Sequence, residues 1–223
     1  MKMKFLKSSL VSVTLLLGIA PSAFAGTGDF ALGVKGGTLG IGAEVTFGLL
    51  PSLNLRSGYN AFNYDGSATK NSIDYSYKLK LGSLPVLVDW HPFPASDFRL
   101  STGLVFNSNK VEATGKAQGT YTIDGQTYNA SQIGTLTGKI DFNSTAPYLG
   151  IGWGNAVAKG SPLSLSCDVG VLFQGTPKVT LTPSVTPTTA IQTSIANEEA
   201  SIRDTTDNFK YYPVVSLGLA YKF

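Results

Sequence analysis

The sequence contains a single cysteine, Cys167, and a single histidine, His91. One cysteine excludes a disulfide bond within the chain. One histidine, with no cysteine or carboxylate at metal-ligand spacing and no Ser-His-Asp arrangement, gives no pattern for a metal site or a catalytic triad. We therefore predict no metal, no cofactor and no catalytic residues.

Long apolar runs are also lacking, because no stretch beyond the first 25 residues could form a membrane-spanning helix. The N-terminal segment carries three lysines, then a short apolar run, and reaches the small-residue motif Ala23-Phe24-Ala25. This pattern predicts a cleaved secretory signal at residues 1–25 and one mature domain at 26–223. Without the signal's three lysines the 17 basic residues become 14, equal to the 14 acidic ones, so charge does not indicate nucleic-acid binding.

Charged residues are scarce, at 14 %, whereas glycine is abundant, with 25 residues, and apolar residues come in short alternating bursts. This composition suits a membrane β-barrel or a secreted β-sandwich. The alternation is clearest at residues 211–223, because side chains of a strand point to opposite faces in turn. One face of this predicted strand is large and apolar, with aromatic residues at both ends: Tyr211, Pro213, Val215, Leu217, Leu219, Tyr221 and Phe223.

Seven earlier segments alternate in the same way, so the sequence predicts eight strands. They cover residues 30–35, 39–48, 53–60, 75–91, 98–107, 147–154, 163–174 and 211–223. The connections after the second, fourth and sixth strands are short, and those after the third, fifth and seventh are longer. The two longest loops are predicted at about 112–137 and 176–208.

Three local features are predicted within this pattern. The apolar positions of the fourth strand change from odd to even near Gly82-Ser83, which indicates a β-bulge. The dipeptide Asp124-Gly125 favours a hairpin inside the first long loop. Residues 190–202 place three isoleucines on one side of a possible short helix in the second long loop.

The final strand carries a family resemblance. Phe223 at the C-terminus, preceded by Tyr221 at even spacing, resembles the closing strand of bacterial outer-membrane β-barrels. With all eight strands, the chain resembles the small barrels of the OmpA-transmembrane-domain, OmpX and OmpW kind. This resemblance implies a closed antiparallel eight-stranded up-and-down barrel in the outer membrane, with short periplasmic turns and longer extracellular loops.

The same resemblance implies partners. Outer-membrane lipids and lipopolysaccharide would surround the barrel, and the barrel-insertion machinery would recognise Tyr221 and Phe223. Loops 112–137 and 176–208 would offer surfaces to further partners. We expect no periplasmic peptidoglycan-binding domain, in which the chain would depart from full-length OmpA proteins, so cell-wall anchoring is not implied.

The polar faces of the strands are predicted to fill the barrel with an ion-pair network. If the second and third strands pivot near residue 50, Glu44 lies opposite Arg56; if the fourth and fifth pivot near residue 94, Asp89 lies opposite Arg99. Asp168 on the seventh strand is the third predicted carboxylate. Eight strands enclose an interior just wide enough for side chains, so buried charges there are expected to be paired.

Aromatic residues segregate towards the strand ends, which is typical of membrane interfaces. The predicted periplasmic girdle contains Trp90, Trp153, Tyr221 and Phe223. A second set is predicted towards the other end: Tyr75, Tyr77, Phe106, Phe173 and Tyr211.

Three functions are compatible with the sequence. The leading hypothesis is a non-enzymatic envelope barrel with a filled interior and surface loops. The alternative is a narrow, porin-like channel for small solutes. The third is a lipid A-modifying enzyme, in which His91 would have to act, although its position beside a proline-rich turn favours a turn residue.

Overall fold

The structure is a computed structural model that describes residues 28–70, 73–93, 96–159 and 162–223. The predicted signal at 1–25 and the first mature residue, Gly26, lie outside the described residues. Among the described residues, no helix has the length and hydropathy needed to cross a membrane.

Eight strands form a closed antiparallel barrel, which confirms the predicted fold class. They are β1 (Phe30–Gly37), β2 (Gly40–Leu50), β3 (Leu53–Lys70), β4 (Ile73–Trp90), β5 (Phe98–Asn107), β10 (Thr145–Trp153), β11 (Leu163–Phe173) and β13 (Tyr211–Lys222). Each strand pairs with its neighbour in the chain or across a loop, and β13 pairs with both β11 and β1 to close the ring. We call the end that holds the connections after β2, β4 and β10 the turn end.

The two long connections predicted at about 112–137 and 176–208 are present, and they consist mostly of regular structure. They contain β6 (Lys110–Ala117), β7 (Thr120–Ile123), β8 (Gln126–Asn129), β9 (Thr135–Asp141), β12 (Lys178–Pro183) and the helices α1 (Ala130–Ile133) and α2 (Thr189–Thr206). The hairpin at Asp124-Gly125 is confirmed as β7–β8, with φ of 51° and 70° at its two turn residues. The helix predicted at 190–202 is confirmed as α2.

The barrel wall continues beyond its rim on one side. Ser83 lies opposite Asn107 of β5, and Lys80 lies opposite Lys110 of β6, so β6 continues β5 at the same offset along β4. In the same way β9 pairs with β6 above β10, and β12 pairs with β9. This extended wall, residues 62–70, 73–81, 110–117, 135–141 and 178–183, carries β7, β8, α1 and α2; we call the whole the head.

The predicted β-bulge at Gly82-Ser83 is wrong, because β3 and β4 keep one register above and below it. The odd-numbered side of β4 faces the barrel interior below the rim and the head core above it. The even-numbered side is apolar at Val86 and Val88 but polar at Lys78 and Lys80. The apolar positions therefore change parity because the environment of the wall changes, and the backbone continues without a slip.

The head has its own hydrophobic core on the inner side of the extended wall. Residues from β6, the β7–β8 hairpin and both helices form it: Ala117, Tyr121, Ile123, Ile133, Ile191 and Ile195. The hydroxyl of Tyr121 donates to the carbonyl oxygens of Gly115 and Gly134, at 2.7 and 2.8 Å. At the edge of β12, Glu199 of α2 accepts a hydrogen bond from the backbone N–H of Leu181, at 2.7 Å.

Candidate functional site

The interior of the barrel near the turn end is the candidate site, because five strands direct charged side chains into it. Glu44 comes from β2, Arg56 from β3, Asp89 from β4, Arg99 from β5 and Asp168 from β11. Each occupies an inward position in the alternation of its strand, and each is between 2 and 7 % exposed. The structure therefore brings all five predicted network residues into one buried cluster.

Arg56 lies at the centre of this cluster. Its guanidinium is 2.8 Å from the carboxylate of Asp89, 3.0 Å from that of Asp168 and 3.6 Å from that of Glu44. Arg99 makes a second contact to Asp168 at 2.7 Å, and it also donates to the carbonyl oxygen of Gly154. Two arginines thus hold three carboxylates, and most of these groups have an opposite charge on more than one side.

Three further side chains complete the cluster. Lys35 reaches Glu44 at 3.0 Å. The hydroxyl of Ser101 donates to Asp89 at 2.6 Å, and that of Ser216 donates to Asp168 at 3.4 Å. Buried charges are stable only when they are paired, and each charged group of the cluster has an oppositely charged partner at 2.7–3.6 Å.

The predicted strand registers are each wrong by two residues. Arg56 lies opposite Thr46, not Glu44, because the β2–β3 ladder shifts between Gly48 and Leu50. Asp89 lies opposite Ser101, not Arg99, because the connection after β4 is not symmetric about residue 94. An error of two residues keeps a side chain on the same face, so the cluster still forms through diagonal contacts of the long arginines.

Glycine makes room for the network and for the layer above it. A Cβ at Gly152 would lie 2.8 Å from Oδ1 of Asp168 and 2.9 Å from Nε of Arg99, closer than real contacts allow. A side chain at Gly150 or Gly170 would collide with the hydroxyl of Tyr148. The inward positions Gly150, Gly152 and Gly170 of β10 and β11 therefore have no space for a larger side chain.

Above the charged network the interior is apolar, and this layer was not among the predicted features. This layer consists of Leu87, Val105, Ala146, Tyr148, Leu172 and Val214, all at most 6 % exposed. The inward parity of Leu87, Val105 and Leu172 was a signal that could have revealed it. Nearer the rim, Asn107 donates to Gln174 at 3.2 Å, and Asn60 donates to Ser83 at 3.1 Å.

At the turn end a cleft of about 650 Å³ opens below the network, lined in part by Asp29, Asp97 and Lys159. Asn54 lies at its inner wall and donates to Oδ1 of Asn155 at 3.0 Å and to Nε2 of His91 at 3.2 Å.

His91 lies directly after β4 and is 7 % exposed. Burial, followed by the positive charge of Arg99, lowers the pKa of His91 from its usual 6.5, so its ring is held neutral. The structure therefore places His91 on the interior side of the barrel wall. Within the described residues, no group of three or more His, Cys, Asp or Glu could hold a metal ion.

The aromatic residues predicted for the turn end all face outwards there. Trp90, Trp153, Tyr221 and Phe223 are between 38 and 60 % exposed. Phe223 stacks on Phe30 with ring centroids 5.2 Å apart, so the predicted aromatic girdle continues across the junction of β13 and β1.

The second predicted set of aromatic residues is divided. Phe106, Phe173 and Tyr211 lie outwards at the rim, but Tyr75 and Tyr77 lie above it in the head. Their assignment to the rim is therefore wrong, because the fourth strand is longer than the barrel.

Comparisons with known proteins define the fold only. No protein-family model matches the chain, and no curated protein matches it. Among solved structures, CarO2 of Acinetobacter baumannii aligns with a TM-score of 0.58 and 21 % identity, covering 87 % of this chain and 98 % of that one. CarO of the same organism aligns with a TM-score of 0.55 and 20 % identity, covering 86 % and 97 %. The chain is similar in fold to these two proteins.

Proposed function

We propose that the protein is an outer-membrane barrel without an open pore, which carries a folded head on the cell surface and has a structural and surface-interaction role. The observation that carries this proposal is the filled interior, where a charged layer and an apolar layer follow one another along the barrel axis. Its resemblance in fold to CarO and CarO2 is consistent with such a barrel.

The outer surface of the barrel supports a lipid environment. Large apolar side chains on the outward positions are strongly exposed, including Ile41 at 74 %, Leu165 at 77 % and Leu217 at 66 %. In water such a continuous apolar surface would be an aggregation hazard, whereas in a bilayer it is the expected lipid-facing band. The aromatic side chains at both limits of this band occupy the positions that membrane interfaces favour.

The interior argues against free conduction. A solute passing along the axis would have to displace Tyr148 and Leu172 in the apolar layer, which are 4 % and 0 % exposed. It would then have to separate Arg56 from carboxylates at 2.8 and 3.0 Å. Breaking one side of a buried ion pair costs about 3–5 kcal/mol, so the static barrel is closed.

The topology suggests an orientation. Small outer-membrane barrels have short periplasmic turns and long extracellular connections, which places the turn end in the periplasm and the head outside the cell. In this orientation Tyr221 and Phe223 lie on the lipid face at the periplasmic end, where the insertion machinery would read β13. The head surfaces from 112–137 and 176–208 are then available to partners outside the cell.

A narrow channel is the second candidate, and the cleft of about 650 Å³ at the turn end is the observation that favours it. Such a vestibule would admit small polar solutes as far as Asn54 and His91. For conduction, the charged and apolar layers above it would have to rearrange.

Planar-bilayer recording of the refolded protein separates the two functions. Barrel insertion is first established from the heat-dependent shift in gel mobility, and a porin in the same bilayer shows that conductance is detectable. We expect no reproducible single-channel steps from the inserted wild type. Reproducible steps would overturn the closed-barrel proposal in favour of the channel.

A matched pair of variants would then locate the conducting path. Tyr148→Ala opens the apolar layer, whereas Leu149→Ala removes a neighbouring side chain from the lipid face, where it is 58 % exposed. For the closed barrel, neither variant should match the porin in conductance. Steps that increase only in Tyr148→Ala would show that solutes pass through the interior.

A further inference from the structure

The outer face of the extended wall carries a concentration of lysines directly above the lipid-facing band. In the row nearest the rim, Lys80 of β4, Lys110 of β6 and Lys178 of β12 share one level with Asp141 of β9. These positions continue the outward face of the barrel, because even residues of β4 point outwards both below and above the rim. The lysines therefore project on the side where lipid lies beneath them.

A second row lies two residues further from the rim on the same face. It contains Lys78 and Lys139, together with Glu112 and Asp65. Across both rows, five lysines face three carboxylates. The face has an excess of positive charge, although the mature chain as a whole is predicted to be neutral.

The arrangement is unfavourable for a sheet that meets only water. Lys80 lies directly opposite Lys110, and like charges in that position destabilise a strand pair. Both approach the single carboxylate of Glu112, at 3.8 and 3.2 Å. Each ammonium group has three N–H donors, so two of them sharing one carboxylate can still donate hydrogen bonds to another anion.

The electrostatics of Glu112 are consistent with this excess. A hydrogen bond from Lys110, with the positive charges of Lys110, Lys80 and Lys78, lowers the pKa of Glu112 below its usual value. The lysines remain accessible, since the side chains of Lys80 and Lys110 are 44 and 36 % exposed.

The height of the rows matches the headgroup layer of a membrane. Leu84 is the last lipid-facing residue of β4, at 40 % exposure. Lys80 lies four residues further on, or about 13 Å along the strand at roughly 3.3 Å per residue. Strand tilt reduces this to about 10 Å above the hydrocarbon. The headgroup layer is about 5–7 Å thick on each side, and the flexible lysine side chains can reach it by extending back along the wall.

From this placement we propose that Lys80, Lys110 and Lys178, supported by Lys78 and Lys139, bind phosphate groups of the outer-leaflet glycolipid, lipopolysaccharide. The inference rests on the proposed outer-membrane location. Three ammonium groups in a row spanning four strands can contact more than one phosphate, while Asp141 is paired with Lys139 at 2.8 Å. The site anchors the extended wall to the membrane surface on one side of the barrel.

The test uses the refolded full-length barrel titrated with purified lipopolysaccharide, with the midpoint of the heat-dependent gel shift as the readout. The test variant is Lys80→Gln, Lys110→Gln and Lys178→Gln together. The matched control is Lys116→Gln, Lys159→Gln and Arg203→Gln, which removes the same charge from exposed positions away from the rows. A further titration uses lipopolysaccharide from which the phosphates have been removed.

We expect lipopolysaccharide to raise the midpoint of the wild type and of the control, with half-effect at similar concentrations. The triple test variant should need a lipopolysaccharide concentration on the order of 100-fold higher for the same half-effect, since each lysine near an anionic surface contributes about a factor of five in affinity. Removing the phosphates or raising the salt concentration should weaken the wild-type effect.

Two results would overturn the inference while leaving the barrel proposal intact. One is an inserted wild type that lipopolysaccharide does not stabilise; the other is a test variant that responds like the control. An effect that survives removal of the phosphates would also overturn it, because acyl chains would then account for binding. A chain that shows no inserted, heat-modifiable form contradicts the proposed function itself, so the two failures are distinguishable.

Discussion

Arg56 is the residue on which most of the interior charge depends. Its guanidinium contacts Glu44, Asp89 and Asp168, whereas that of Arg99 lies 2.7 Å from Asp168 and 3.9 Å from Asp89. Removing Arg56 therefore leaves more uncompensated buried charge than removing Arg99.

Replacing Arg56 by Ala should destabilise the barrel by about 3–5 kcal/mol, and Arg99→Ala should cost less because Arg56 still neutralises Asp168. Urea unfolding of the refolded protein, followed by gel mobility, measures both. Lys210→Ala, which removes a half-exposed pair with Asp207 and a cation–π contact with Tyr211, serves as control and should change stability by about 1 kcal/mol or less. Equal stability in all three variants would contradict the central role of Arg56.

At this scale the sequence could identify which residues face inwards, but not which residues touch. Alternation places Arg56 and Asp89 on interior faces, because parity survives an error of two in the register. The 3.6 Å distance between Arg56 and Glu44, by contrast, depends on the irregularity of the β2–β3 ladder at Gly48/Leu50. No local pattern in the turn specifies that irregularity.

Among the elements, α2 is the one that holds the head together. Ile191 and Ile195 are buried in the head core, and Glu199 covers the edge of β12 through the N–H of Leu181. Asn197 donates to Oδ2 of Asp124 at 2.7 Å, which fixes the β7–β8 turn to the helix. The helix thus joins two segments that are far apart in the chain.

Ile195→Ala should loosen the head without opening the barrel. Removing a buried isoleucine costs about 2–5 kcal/mol, and the helix is separate from the barrel interior. Protease cleavage between residues 176 and 208 should become faster, while the midpoint of the heat-dependent gel shift stays within a few degrees of wild type. Gln192→Ala, at an exposed position on the same helix, is the control; equal cleavage of the two variants would show that Ile195 does not hold the helix.

Alternation of apolar and polar residues predicts some of the strands and not others. The strands of the barrel were predictable because each keeps one face towards the interior and the other towards the outside over the length of the barrel. The extended wall was not predictable from alternation. Its outward face changes from apolar to polar at the rim, and the apolar positions of β4 therefore change parity at Gly82, which indicated a bulge. The segments β6, β9 and β12 are rich in threonine and lysine, which by composition favour a loop as readily as a polar strand.

At the scale of the whole molecule, the chain passes from the barrel into the head and back at three places. Ala61 lies opposite Gly82, the N–H of Asn107 donates to the carbonyl of Ser144 at 2.8 Å, and that of Gln174 donates to the carbonyl of Lys210 at 3.0 Å. At each of these places the chain leaves the barrel and returns to it within hydrogen-bonding distance. Short turns could therefore replace the head.

A headless chain, with 62–81, 108–143 and 175–209 each replaced by a short turn, should still form a heat-modifiable barrel. We expect it to insert into preformed vesicles several-fold faster than the full chain, because shorter connections reduce the cost of loop closure. The rate at which the folded band appears on gels measures this. A headless chain that never reaches the folded band would show that the extended wall is part of the barrel's stability.

The filled interior also constrains the order of assembly. On the proposed outer-membrane location, the head must reach the far side of the bilayer, yet the finished barrel has no passage through which polypeptide could travel. Pairing of β1 with β13 joins the first and last strands described, and it completes the ring. The head must therefore cross the membrane before β1 and β13 pair. Before this pairing the barrel is open and the head can pass; after it the barrel is sealed.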